Sequence, residues 1–130
     1  MRILWLALFG VALALASADP AAAAEKTKGA LVSPPLSINP NDGQPLCLAA
    51  NLSATETVAV TLEIIDASGA VAVTTSHVLG PGASDAATDR LAYFYSYCRI
   101  TPANPAQLSL LRGTHCIASE NTSRTCLEAR

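Results

Sequence analysis

Charge of either sign is scarce in this chain. Only 14% of its 130 residues are charged, 8 Lys and Arg against 10 Asp and Glu, for a formal net charge of −2. Such a chain carries no basic field for a phosphate backbone, which argues against nucleic-acid binding. Low charge beside a hydrophobic content of 51% also argues against a wholly disordered chain. Aromatic residues make up only 5%. No internal repeat and no segment of helical period stands out, and the C-terminus, Leu127-Glu128-Ala129-Arg130, has no apolar tail. Much of the hydrophobic fraction is alanine, 25 residues, many of them among the first thirty. The length suits one domain rather than two.

Most catalytic signatures are missing as well. Only His77 and His115 could serve as an imidazole base. No G-x-S-x-G elbow occurs, and the nearest stretch, Gly80-Pro81-Gly82-Ala83-Ser84, has glycine where the serine belongs. Both histidines read as isolated sheet or surface residues. The turn 39–43 fails the calcium-loop pattern, because Ile38 stands five residues before Gly43 and no glutamate follows six later. Glu56, Glu63, Asp66, Asp85 and Asp89 stand in no telling context and read as solvated carboxylates. Gly80-Pro81-Gly82 lacks the following helix that a phosphate cradle needs. No catalytic residue, metal or cofactor is expected.

What is present begins with an address. Met1-Arg2 carries one positive charge, an uncharged apolar run covers 3–16, and Ala16-Ser17-Ala18 supplies small residues before Asp19-Pro20. That is the form of a secretory signal peptide, with cleavage expected after Ala18 or after the tract 21–24. The run is short for a membrane span, which needs about 20 apolar residues, although an uncleaved anchor is the alternative. No cysteine follows either site, so a lipid-anchored N-terminus is not expected. The expected organisation is a leader at 1–18, a loose arm at 19–28 and one domain at 29–130. The mature chain should be soluble, exported and free of the membrane. Without Arg2 it holds 7 basic and 10 acidic residues.

Four cysteines, Cys47, Cys98, Cys116 and Cys126, all lie in the expected mature part. An even number in an oxidising compartment reads as two disulfides. Three pairings are open and spacing does not choose among them. The preferred scheme is Cys47–Cys98, stapling an early strand to a late one, with Cys116–Cys126 closing a short loop. Zinc is the rival reading, but no C-x-x-C pair occurs and only His115 adjoins a cysteine.

The remaining pattern is β. Residues 29–38 read as an extended piece broken by Pro34-Pro35, suited to an edge or a strand switch. Residues 45–52 carry Cys47. In 57–66, Val58, Val60, Leu62 and Ile64 alternate with Ala59, Thr61 and Glu63, the mark of a half-buried strand. Ala67-Ser68-Gly69 should turn the chain into a second strand over 70–79, forming a hairpin. Residues 83–90 are small and polar and read as a long loop. A third strong strand is expected over 91–100, then one over 107–118, a turn at 120–123 and a short strand at 124–128. About seven short strands with frequent turn signals predict an all-β, immunoglobulin-like antiparallel sandwich.

Several features carry a family resemblance: Cys47 with Asn51 four residues on, the strand from Val58 to Ile64, Asp66-Ala67-Ser68-Gly69, Leu79-Gly80-Pro81-Gly82 and Tyr97-Cys98-Arg99-Ile100. With them the stretch 47–112 resembles a group of small exported bacterial proteins with immunoglobulin-like or fibronectin III-like sandwiches. That group has no assigned activity, so the resemblance implies fold and compartment only. It also implies the Cys47–Cys98 pair. A bacterial source would leave the acceptor triplets Asn51-Leu52-Ser53 and Asn121-Thr122-Ser123 without meaning for N-glycosylation.

One feature rises above this background. Tyr93, Tyr95 and Tyr97 share one face of the third strong strand, with Arg99 and Arg112 as a polar rim. The stripe is a candidate binding face, for a protein partner or for a surface glycan. Ordinary cross-strand aromatic packing is the alternative. The leading functional expectation is an exported, non-enzymatic binding protein. A carbohydrate-binding module and a small hydrolase or hydrolase inhibitor are the others.

Overall fold

The computed structural model describes residues 29–37, 43–89, 95–118 and 125–130. The leader, the arm, most of the turn at 39–43, the start of the tyrosine strand with Tyr93, and the turn at 120–123 with its acceptor triplet lie outside them.

The described chain is mostly antiparallel β-sheet with two disulfides. Its strands are β1 (Leu31–Val32), β2 (Leu36–Ser37), β3 (Gln44–Asn51), β4 (Val58–Asp66), β5 (Val71–Leu79), β6 (Ser84–Thr88), β7 (Tyr95–Pro102), β8 (Leu111–Ala118) and β9 (Thr125–Ala129). One sheet has the order β1-β7-β4-β5, with β2 also on β7, and the other has the order β6-β3-β8-β9.

Strand β4 shows why the chain folds this way. Val58, Val60, Leu62 and Ile64 are all buried, while Ala59 is exposed and Thr61 and Glu63 are half-buried on the other face. The hairpin turn is set by Asp66, whose Oδ1 accepts from Ser68 N at 2.8 Å, Ser68 Oγ at 2.6 Å and Ala70 N at 3.0 Å. These bonds hold its carboxyl below the usual carboxylate range, the Ser68 hydroxyl most of all. Gly69 supplies the left-handed residue at φ 85°.

Buried residues of both sheets form one cluster: Cys47, Ala49, Ala87, Leu111 and Ala129 from one, and Val58, Val60, Leu62, Ile64, Leu79, Cys98 and Ile100 from the other. The Cys47–Cys98 disulfide joins β3 to β7 inside this cluster, with Cα atoms 5.4 Å apart. Cys116–Cys126 links β8 to β9 at directly opposed positions. Both are the pairs that the sequence analysis prefers.

Gly113 makes the close approach possible. A Cβ there would sit 2.9 Å from Ala129 Cβ and press on the end of Ile100. Only a glycine lets Ile100 of one sheet nest against β8 of the other.

Two expectations need correction. The loop expected over 83–90 contains strand β6, which pairs with β3 from Leu46↔Thr88 to Ala50↔Ser84. Its small residues have little strand propensity, but Ala87 is buried in the core opposite Cys47. The strand expected over 107–118 begins only at Leu111. Residues Pro105–Leu110 form a 3₁₀ helix, started by proline and capped by Asn104, whose Oδ1 accepts from Ala106 N at 3.1 Å. The extended piece at 29–38 is divided at its prolines as expected, into two short strands separated at Ser33-Pro34-Pro35. Val32 of β1 exchanges backbone bonds with Arg130 at 3.1 and 3.2 Å while Leu31 and Val32 pair with Ile100 and Arg99. This segment therefore ties the two sheets together at one edge.

Candidate functional site

Alternation along β7 sorts its residues by face. Ser96, Cys98, Ile100 and Pro102 are buried, whereas Tyr95 is 53% exposed and Tyr97, Arg99 and Thr101 are half-buried. Tyr95, Tyr97 and Arg99 therefore share the outer face of the β1-β7-β4-β5 sheet. Tyr93 lies outside the described residues. Arg112, taken from sequence as a rim residue, is exposed on β8 in the other sheet, so it does not flank this face.

The outer face has more structure than the tyrosine stripe implies. Arg99 pairs through Nε with Glu63 Oε2 at the opposed position on β4, and this bond raises the guanidinium pKa further. Tyr97 stands opposite Ile65, which in turn stands opposite Val71 of β5. Ile65 is 1% exposed although its register faces outward. This apolar row Tyr97–Ile65–Val71 is missing from the sequence reading. Its signal was the doublet Ile64-Ile65, where alternation breaks at a register shift between β4 and β5. Beside the row lies a depression of about 250 Å³ lined by Pro35, Asp66, Ala67, Tyr95, Ser96 and Tyr97. Pro35 arrives there because β2 pairs with β7, placing Leu36 opposite Ser96.

The histidines occupy different settings. His115 is 0% exposed, between the sheets, and its Nε2 lies 3.1 Å from Ser96 Oγ. Burial pushes its pKa down to about 4, only partly opposed by the Pro34 carbonyl. The imidazole is thus neutral and sealed, and it ties β8 to β7. His77 faces inward at the edge of the molecule, and its Nδ1 lies 2.7 Å from Asp85 Oδ2. This pair joins β5 of one sheet to β6 of the other. Its Nε2 is buried and makes no hydrogen bond among the described residues. Among the described residues no group of three or more His, Cys, Asp or Glu side chains could hold a metal ion.

Asn51 changes meaning. The residue is 1% exposed, and its amide nitrogen donates to the carbonyls of Glu56 at 2.7 Å, Leu79 at 3.1 Å and Gly80 at 3.0 Å. Its Oδ1 accepts from Ser53 N at 3.0 Å. In the folded protein this triplet is a structural pin between the end of β3 and the end of β5, closed to glycosylation.

No protein-family model, curated protein or solved structure matches the chain.

Proposed function

We propose that the protein is an exported binding protein built on an immunoglobulin-like sandwich. It acts by presenting the outer face around Tyr95, Tyr97, Pro35 and Arg99 to a protein partner or surface component, and it is not an enzyme. The observation that carries this reading is the placement of the tyrosines. Tyr95 is 53% exposed, beside an apolar depression and a charged Arg99–Glu63 pair. An aromatic anchor next to an apolar hollow with a polar margin is the usual make-up of a binding hot spot.

Other observations support the parts of this reading. His115 is sealed, and the buried Nε2 of His77 has no hydrogen-bonded nucleophile among the described residues. Two disulfides favour an oxidising compartment. No helix among the described residues is long and apolar enough to cross a membrane. The strand orders β6-β3 and β7-β4-β5, bridged by a disulfide between β3 and β7, follow the E-B and F-C-C′ arrangement of a variable-type immunoglobulin domain. The last strands depart from it. β8 pairs with β3 rather than β7, and β1 takes the place beside β7 that the final strand of an immunoglobulin domain would fill.

The test compares wild-type protein with a Tyr95→Ala/Tyr97→Ala variant as bait in the envelope fraction and medium of the producing cells. A partner retained by the wild type and lost by the folded variant supports the reading. Equal retention by both would show that binding uses another face. A glycan is the second reading, favoured by the Asp66 carboxylate in a lining otherwise dominated by tyrosine and proline. Glycan-array binding that disappears in the same variant would select it.

A further inference from the structure

The two disulfides differ in access. Cys47 and Cys98 are both 0% exposed within the core cluster. Cys116 is 4% exposed, but Cys126, its partner, stands exposed on the outer strand β9. Beside Cys126 runs a groove of about 330 Å³ lined also by Val32, Leu127, Glu128 and Arg130. Among the described residues the charged lining of this groove is Glu128 and Arg130, 3.8 Å apart, and Arg112 lies 3.8 Å from the other carboxylate oxygen of Glu128.

Among the described residues little else holds strand β9. It spans five residues, of which only Ala129 is buried and Leu127 half-buried. Among the described residues its other ties are the pairing with β8, the exposed Arg112–Glu128 ion pair and the two backbone bonds between Arg130 and Val32. We propose that Cys116–Cys126 is a thiol-exchange site for a small dithiol reductant, and that its reduction releases β9 and frees the edge of β8.

The chemistry balances as follows. A thiolate of the dithiol attacks Cys126 Sγ, the disulfide bond breaks, and Cys116 leaves as a thiolate that takes up a proton. The second thiol of the reductant then attacks the mixed disulfide, giving the Cys126 thiol and the cyclised, oxidised reductant. Two electrons pass to the protein. The buried Cys47–Cys98 bond is out of reach and keeps the two sheets stapled. Release of β9 leaves the β8 backbone, from Gly113 to Ile117, with unpaired groups able to accept another strand.

The experiment treats native protein with graded dithiothreitol, traps free thiols with N-ethylmaleimide and maps the labelled peptides. Hydrogen exchange is followed on the same samples. The expected result is labelling of Cys116 and Cys126 at reductant concentrations that leave Cys47 and Cys98 unlabelled. Exchange should rise by about tenfold or more in 111–118 and 125–129, because a short cross-linked loop has been opened, and stay unchanged in 58–79. A Cys116→Ser/Cys126→Ser variant should show the same exchange pattern without reductant. Simultaneous labelling of all four cysteines would overturn the proposal. So would selective labelling, or the variant, with exchange in β8 and β9 unchanged.

Discussion

Replacing Asn51 probes the frame where its two sheets are pinned. The side chain offers two N–H groups to the carbonyls of Glu56, Leu79 and Gly80 and one acceptor to Ser53 N, all in a setting 1% exposed. Asn51→Ala leaves these groups without partners. With a net ~1 kcal/mol per hydrogen bond and ~1–3 kcal/mol for a buried group left unpaired, the loss should be about 3–4 kcal/mol. For a domain near this size that lowers Tm by roughly 15–25 °C. Asn51→Asp is the sharper variant. It keeps volume and one acceptor but turns the donor into a second acceptor facing three carbonyl oxygens. At neutral pH it should therefore be less stable than Asn51→Ala. A protonated carboxyl can donate once, so the folded state raises that group's pKa above its unfolded value. Below neutral pH the folded variant holds a proton that the unfolded chain has shed, and its deficit relative to wild type shrinks as pH falls. Urea denaturation followed by circular dichroism, on wild type and both variants at neutral pH and at pH about 5, measures this. An Asn51→Asp variant as stable as wild type at neutral pH, or a deficit that grows on acidification, would refute the reasoning.

Other outcomes follow from the same contacts. Gly113→Ala should cost about 1–3 kcal/mol in thermal unfolding, because its Cβ meets Ala129 and Ile100, and adding Ile100→Val should recover part of the loss. His115 holds its folded pKa at about 4 against an ordinary 6.5. The unfolded chain takes this proton first, so stability is full above pH 6.5 and falls by on the order of 3 kcal/mol as pH drops to about 4. An NMR titration of the His115 ring with a midpoint near 6.5 would contradict that. Removing Cys47–Cys98, which spans 51 residues, should cost about 4 kcal/mol in urea melts, against about 3 kcal/mol for Cys116–Cys126, which spans 10.

The parts of the fold legible in the sequence are those whose physics is local. The alternation of Val58 to Ile64, the turn at Asp66 to Gly69 and the break at Pro34-Pro35 each follow from neighbouring residues, and the structure has β4, the hairpin and the divided edge there. Strand β6 was hidden because Ser84, Asp85 and Ala86 have no strand signature of their own, and β3 imposes the pairing from forty residues away. The 3₁₀ helix was hidden because Asn104-Pro105 reads equally as a strand-ending turn. At the candidate site, the face of Tyr95, Tyr97 and Arg99 followed from period two alone. Ile65, Glu63 and Pro35 joined it through register across β4, β7 and β2, which no single segment encodes. The roles of Asn51 and His115 likewise depend on partners far along the chain.

Site-specific photo-crosslinking tests the central claim most directly. A photoreactive phenylalanine analogue replaces Tyr95 on the proposed binding face and, in a second protein, Arg112 on the outer side of the opposite sheet. Both are expressed and irradiated in the producing cells. The account predicts a discrete crosslinked product from position 95 and none from position 112. Crosslinking from position 112 alone, or no product from position 95 while the protein is folded and exported, would contradict it.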